Sequence, residues 1–230
     1  MEAMGSPEDR LTTGVPGLDA ILGGGYLPCR HVLVAGGAGT GKTALGTQYL
    51  AAGLETGQRC LLISLGEPTA RSLADAGTRG TKMDGVACLD LNPTADYFTA
   101  QRTYDIFSPA EVERGPITSA ITDKVLAFRP QRIFIDSLEQ FRYLSPDPFQ
   151  LRRHLLALLR FLTDQNATVL FSAEGSEQER DDGLAFLADG VLMLRNEGTG
   201  RDLLVHKLRG SGYSRGLHRF SLDEIGRAHV

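Results

Sequence analysis

The sequence predicts an α/β fold in which a mostly parallel sheet is flanked by helices and finished by an antiparallel β extension. Short apolar segments alternate with helix-length segments as far as Ser172, the pattern of successive strand–helix units. Beyond Leu184 the long helical segments stop and three β-like runs follow one another. A glycine cluster lies directly between the first strand and the first long helix, where open α/β sheets place their ligand loops.

His31–Ala35 is short, apolar and ended by glycines, as a buried strand should be. Lys42–Glu55 follows as a helix, Cys60–Leu65 as a second strand and about Thr69–Gly77 as a second helix. Val86–Leu91 reads as a strand, Ile117–Phe128 as a helix and Arg132–Asp136 as a strand. In the next helix Leu151, Leu155, Leu158 and Leu162 recur at helical spacing, with Arg152, Arg153 and Arg160 on the other side. Thr168–Ser172 is the next strand; Gly190–Leu194, Leu203–Arg209 and His218–Leu222 form the antiparallel extension. The stretch from Asn92 to Gly115 is poorly patterned but rich in aromatics (Tyr97, Phe98, Tyr104, Phe107), with Pro93, Pro109 and the following Pro116. It reads as an ordered loop or insertion.

Composition narrows the class. The 230 residues are 42% hydrophobic and 23% charged, enough for one sizeable core and against wholesale disorder. No apolar run approaches the roughly 18 residues of a membrane span, and the N-terminus lacks the apolar segment of a secretory signal. Cys29, Cys60 and Cys88 include no C-x-x-C pair, which argues against a zinc site or a disulfide framework. The net charge of −4 disfavours a dedicated duplex-DNA binder. A single-domain, soluble, cytoplasmic protein with no membrane partner is expected.

The chemistry is concentrated in Gly36-Gly37-Ala38-Gly39-Thr40-Gly41-Lys42-Thr43, which fits the phosphate-binding pattern G-x-x-x-x-G-K-[ST]. Glycines let backbone N–H groups turn inward around phosphate oxygens, and the helix that follows points its positive end at them. Gly36, Gly37, Gly39, Thr40, Gly41, Lys42, Thr43 and Ala44 are therefore the expected nucleotide-binding residues. Lys42 reaches the β and γ phosphates of ATP, and Thr43 supplies a hydroxyl to Mg²⁺. Asp136 closes the apolar run Ile133-Phe134-Ile135, and a carboxylate at that strand tip suits a second Mg²⁺ position. Ser137 and Ser172, at neighbouring strand ends, are candidates to sense the γ-phosphate.

The entry segment Thr13–Gly25 with Val34–Gly36, the segment Ile135–Leu138 and the segment Lys207–Ser211 together resemble the KaiC family of RecA-like ATPases. Thr13-Gly14-Val15-Pro16-Gly17-Leu18-Asp19 through Leu22-Gly23-Gly24-Gly25, then Val34-Ala35-Gly36, looks like the family's entry sequence. Ile135-Asp136-Ser137-Leu138 is similar to its second motif, and Lys207-Leu208-Arg209-Gly210-Ser211 to its C-terminal K-[ML]-R-G motif. The resemblance implies a RecA-like P-loop core assembled as a homo-oligomeric, hexameric ring, with ATP at the subunit boundaries. It also implies that Lys207, Leu208 and Arg209 contact ATP held by the adjacent subunit. No arginine lies within the first two motifs, so transition-state charge needs a cation from elsewhere. Period-two alternation puts Leu203, Val205, Lys207 and Arg209 on one face of their strand.

The sequence departs from the family in two places. Members usually carry two glutamates after the strand that follows the P-loop helix; the equivalent stretch here is Ser64-Leu65-Gly66-Glu67-Pro68. Glu67 is then the one acid placed to orient or deprotonate the attacking water, so ATP binding is a firmer expectation than fast hydrolysis. Clock-type members phosphorylate a Ser–Thr pair whose counterparts here are Ala185 and Phe186, which have no hydroxyl, so autokinase activity at that site is excluded.

Residues 1–10 read as a tail and 11–226 as one KaiC-type domain. Ile225 to Val230 is also what a widely used sequencing-adapter DNA encodes in frame. Residues 227–230 are accordingly expected to be non-native, and the natural chain to continue, with a second KaiC-type domain as one continuation. The leading function is a slow ATPase whose cycle drives conformational or regulatory switching, with room for a regulatory protein partner. The alternatives are a nucleotide-dependent interaction module and a recombination or repair accessory protein binding single-stranded DNA. The acidic balance opposes the last, and Arg152, Arg153 and Arg160 read as a solvated helix face.

Overall fold

The computed structural model describes residues 10–92, 109–138, 141, 147–175, 183–196, 200–223 and 227–230. Strands β1 (His31–Gly36), β2 (Cys60–Ser64), β3 (Ala87–Asp90), β4 (Arg132–Asp136), β5 (Thr168–Ala173), β6 (Gly190–Asn196), β7 (Arg201–Leu208), β8 (Leu217–Leu222) and β9 (Ala228–His229) form one sheet. Its order is β3-β2-β4-β5-β1-β6-β7-β8-β9. Pairing is parallel from β3 to β6 and antiparallel from β6 to β9, the mixed architecture the sequence pattern predicts.

The central strands are buried on both sides, which is why they read as continuous apolar runs instead of alternating ones. On β1, Leu33 and Ala35 pack on one helical layer, Val32 and Val34 on the other. The first layer is built from α4 (Pro109–Phe128), α5 (Pro148–Asp164) and the short α6 (Leu184–Leu187), through Ile121, Val125, Leu158 and Leu162 among others. The second is built from α1 (Leu18–Ile21), α2 (Lys42–Glu55) and α3 (Thr69–Thr78), through Leu18, Leu45, Leu50 and Ala76.

α2 lies unusually close to the sheet. A Cβ on Gly46 would come within 2.2 Å of the Phe134 ring, and one on Gly53 within 2.5 Å of the Arg132 side chain. Two mid-helix glycines cost propensity, yet they let the helix that follows the P-loop settle onto β4. At the other end of β4, Arg132 is buried beneath α2, with no carboxylate partner among the described residues. Its guanidinium donates to Thr12 O and Tyr49 O, both at 2.8 Å, and to Gln58 Oε1, and stacks 4.7 Å over the Tyr49 ring.

Two expectations need correction. The stretch before Ile117 is helical from Pro109 onward, because proline is favoured at a first helical position and Pro109 opens α4 instead of breaking a loop. Residues 93–108 of the expected insertion lie outside the described residues. The second correction concerns β7. Val191 pairs with Lys207 but Leu192 pairs with Val205, so His206 is an extra residue on β7 and the alternation breaks there. Leu203, Val205 and Leu208 share the α2 side of the sheet, whereas Lys207 is turned to the other layer.

Candidate functional site

The P-loop is shaped by backbone freedom at two points. Gly39 (φ 72°) and Gly41 (φ 109°) adopt left-handed conformations that L side chains resist, and Gly41 lies against the Phe220 ring, where a Cβ would meet carbon at 3.0 Å. A Cβ on Gly37 or Gly39 would meet nothing within 4 Å, so the loop opens to solvent. Thr40 Oγ1 donates to Gly37 O at 2.9 Å and ties the loop across itself. The first intrahelical bond of α2 is from Leu45 N to Gly41 O (3.0 Å), which leaves the amides of Lys42, Thr43 and Ala44 without intrahelical acceptors at the loop mouth. Lys42 Nζ donates to Gly36 O (2.6 Å) and Gly37 O (2.8 Å), placing its charge over the cradle.

Asp136 meets this loop across the sheet. Thr43 Oγ1 donates to its Oδ2 at 2.7 Å, joining residues 93 apart in sequence. Ser172 Oγ, from the end of β5, donates to Oδ1 at 2.5 Å. A hydroxyl and a carboxylate oxygen brought together at the mouth of a phosphate loop are the hard oxygen donors that Mg²⁺ takes, so the donor set fits that ion. Ser137 follows at the strand end and is half-buried.

Glu67 belongs to the same end of the sheet. Ser64 pairs with Asp136 in register, and Ser64 Oγ lies 2.5 Å from Glu67 O and 3.3 Å from Asp136 O. The Glu67 side chain itself is 61% exposed, with its nearest cation at 4.0 Å on Arg71, a solvated pair that restrains it little. Sequence reasoning passed over Glu174, the acid that directly follows β5. Since Ala173 pairs with Ala35, it ends beside Gly36. The signal was the one that singled out Asp136, an acid closing an apolar strand.

Lys207, Leu208 and Arg209 lie at the other end of the sheet. Leu208 pairs with Gly190 and Gly190 with Val32, whereas the P-loop begins at Gly36, level with Leu194. That separation is about 13 Å along β6, at roughly 3.3 Å per residue. Lys207 Nζ donates to Ala185 O (3.1 Å) and Ala188 O (2.5 Å). Burial and the neighbouring Arg209 push its ammonium below the ordinary value, against the pull of Asp189. Arg209 Nη1 stands 3.8 Å from Asp189 Oδ1 with its side chain 58% exposed. The Leu208 side chain is buried in the core, which leaves its backbone alone to meet a ligand.

A phosphate loop after the first strand, an acid at the tip of β4 and a mixed sheet with this strand order define an ATPase core of the RecA-like P-loop class. The chain belongs to the KaiC family of ATPases: the family described as "ATPase: KaiC" matches residues 11–229. It is 30% identical to a UPF0273 protein of Aeropyrum pernix, over 95% of this chain and 92% of that one. A UPF0273 protein of Methanopyrus kandleri is 29% identical over 95% and 90%. The circadian clock oscillator protein KaiC of Parathermosynechococcus lividus is 26% identical over 94% of this chain but 40% of its own length. Among the described residues, no helix is long and apolar enough to cross a membrane.

Proposed function

We propose that the protein binds Mg-ATP at Gly36–Thr43 and hydrolyses it slowly, in a site completed by a second copy of the chain, so that the nucleotide state switches the assembly. The observation that carries this is the Thr43–Asp136 bond, which joins the two Mg²⁺-type donors at the mouth of an open phosphate loop. Mg²⁺, when bound, neutralises phosphate charge. Lys42 leaves its backbone carbonyls for the β and γ phosphates, and the amides at the start of α2 hold the phosphate oxygens. Glu67 orients or deprotonates the attacking water. Lys207 and Arg209, held at the far end of the sheet, serve the nucleotide of the adjacent copy in a ring.

One observation favours a second reading, a nucleotide-dependent interaction module with little turnover. Glu67 is solvated and loosely paired, and Gly66 stands where the family usually places another acid. Phosphate release from size-fractionated protein, with and without Mg²⁺, separates the two. Mg²⁺-dependent turnover confined to the oligomeric fraction supports the ATPase; ATP binding with no phosphate release supports the module. Turnover undiminished in a monomer excludes completion by a second copy.

A further inference from the structure

Asp189 joins two groups that the reading above leaves unconnected. It directly precedes β6, is buried, and divides its carboxylate between them. Oδ2 lies 2.5 Å from Nδ1 of His31, the buried first residue of β1, and Oδ1 faces Arg209 at 3.8 Å. The backbone repeats the arrangement: Asp189 N donates to His31 O and Arg209 N donates to Asp189 O, each at 2.9 Å. Among the described residues His31 Nε2 is buried without a hydrogen-bond partner, so the imidazole is anchored through Nδ1. The His31–Asp189 pair is buried, whereas the Arg209 side chain is more than half exposed. A buried pair of this kind at the root of an exposed arginine limits where its guanidinium can point.

We propose that Asp189, fixed by His31, is a positioning residue that aims Arg209 at the nucleotide of the neighbouring copy. This rests on the reading that the site is completed in trans. Asp189 bears on phosphoryl transfer only through Arg209, and its effect falls on the neighbour's site instead of its own. The free rotamers of an unaimed arginine cost rate more than ground-state affinity, because the charge it neutralises develops in the transition state.

The test uses Asp189→Asn, Arg209→Ala and Lys42→Ala full-length chains, alone and mixed, with kcat and KM for ATP measured on co-assembled material. Asp189→Asn is expected to lower kcat by roughly 10- to 100-fold with little change in KM. Combining it with Arg209→Ala is expected to add nothing further. Excess Lys42→Ala copies, inactive in their own sites but carrying intact Asp189 and Arg209, should raise turnover per Asp189→Asn copy. Wild-type kcat in Asp189→Asn overturns the proposal. So does rescue of Arg209→Ala but not of Asp189→Asn, which confines Asp189 to its own chain. Failure to rescue Arg209→Ala despite co-assembly overturns the trans reading itself. Should Asp189→Asn not fold, His31→Val and His31→Asn decide. Loss of kcat in the valine variant, rescued by Lys42→Ala copies and absent when asparagine keeps a donor, supports the proposal; equal turnover in both and in wild type overturns it.

Discussion

The two ends of the sheet are built on opposite principles. At the end where β1, β4 and β5 finish, the working groups are backbone amides, hydroxyls and carboxylates, and the glycines of the P-loop leave the cradle open. At the end where β1 and β6 begin, the working groups are cations held by buried partners: Lys207 by the carbonyls of Ala185 and Ala188, Arg209 by Asp189. In the function proposed above, one end receives a phosphate chain and the other presents charge to one. The two ends are about 13 Å apart along β6, at roughly 3.3 Å per residue, so the proposed completion of the site by a second copy is tested on the assembly as well as on the subunit.

The largest effect expected is at the open end. Lys42→Ala removes the ammonium placed over the cradle, and ATP affinity should collapse at physiological salt. Titration calorimetry or fluorescent-nucleotide binding measures it, and wild-type affinity in the variant would move the nucleotide elsewhere. Next is Glu67→Gln, which keeps shape and removes the base. Binding should persist while turnover falls roughly 100-fold or more. If turnover is unchanged, the acid is another one, and Glu174 beside Gly36 is the next to replace.

Much of the open end was legible in the sequence because its chemistry is contiguous. The P-loop is one string of residues, and Asp136 is announced by the apolar strand it closes. Ser172 was legible as a neighbouring strand end, but its bond to the Asp136 carboxylate was not, since that depends on the register of β4 against β5. The cationic end shows the reverse. The K-L-R motif could be found as a string, but alternation placed Lys207 on the face of Leu203 and Val205. The extra residue at His206 turns it to the other. A trace was present: the buried apolar positions Leu203, Val205 and Leu208 step by two and then by three, and that change of step is the bulge. His31 and Asp189 carry no local signal because parallel pairing of β1 and β6 alone joins them.

A smaller effect is expected where the P-loop helix meets β4. Gly46→Ala gains about 1 kcal/mol of helix propensity. It also drives a methyl to within 2.2 Å of the Phe134 ring, where overpacking costs about 1–3 kcal/mol. With no space for the ring on a strand buried on both faces, the cost wins. Net destabilisation of up to about 2 kcal/mol is expected in urea unfolding, with nucleotide affinity reduced alongside because α2 carries the cradle. A stabilised variant would show that α2 can lift from the sheet without disturbing the site.

The smallest effect distinguishes the cationic end by its response to acid. Burial raises the pKa of Asp189, but the hydrogen bonds and charge of His31, with Arg30 adding to them, outweigh it and hold the carboxyl below its ordinary value. Arg209 and Lys207 face the same carboxylate from β7 and the residues that follow it. A group whose folded pKa lies below its unfolded value stabilises the fold above the ordinary carboxylate range. That contribution is lost as the pH falls through the folded value. The stability difference between wild type and Asp189→Asn should therefore shrink as the pH falls below the ordinary carboxylate pKa of about 4. Acids that do not touch Asp189 cancel in that difference, so urea midpoints of the two proteins at matched pH below about 4 read the Asp189–His31 contact. A difference that stays flat to lower pH means that the His31–Asp189 contact is held by shape instead of charge. The Arg209 end would then have lost the ionic anchor that sets it apart from the open one.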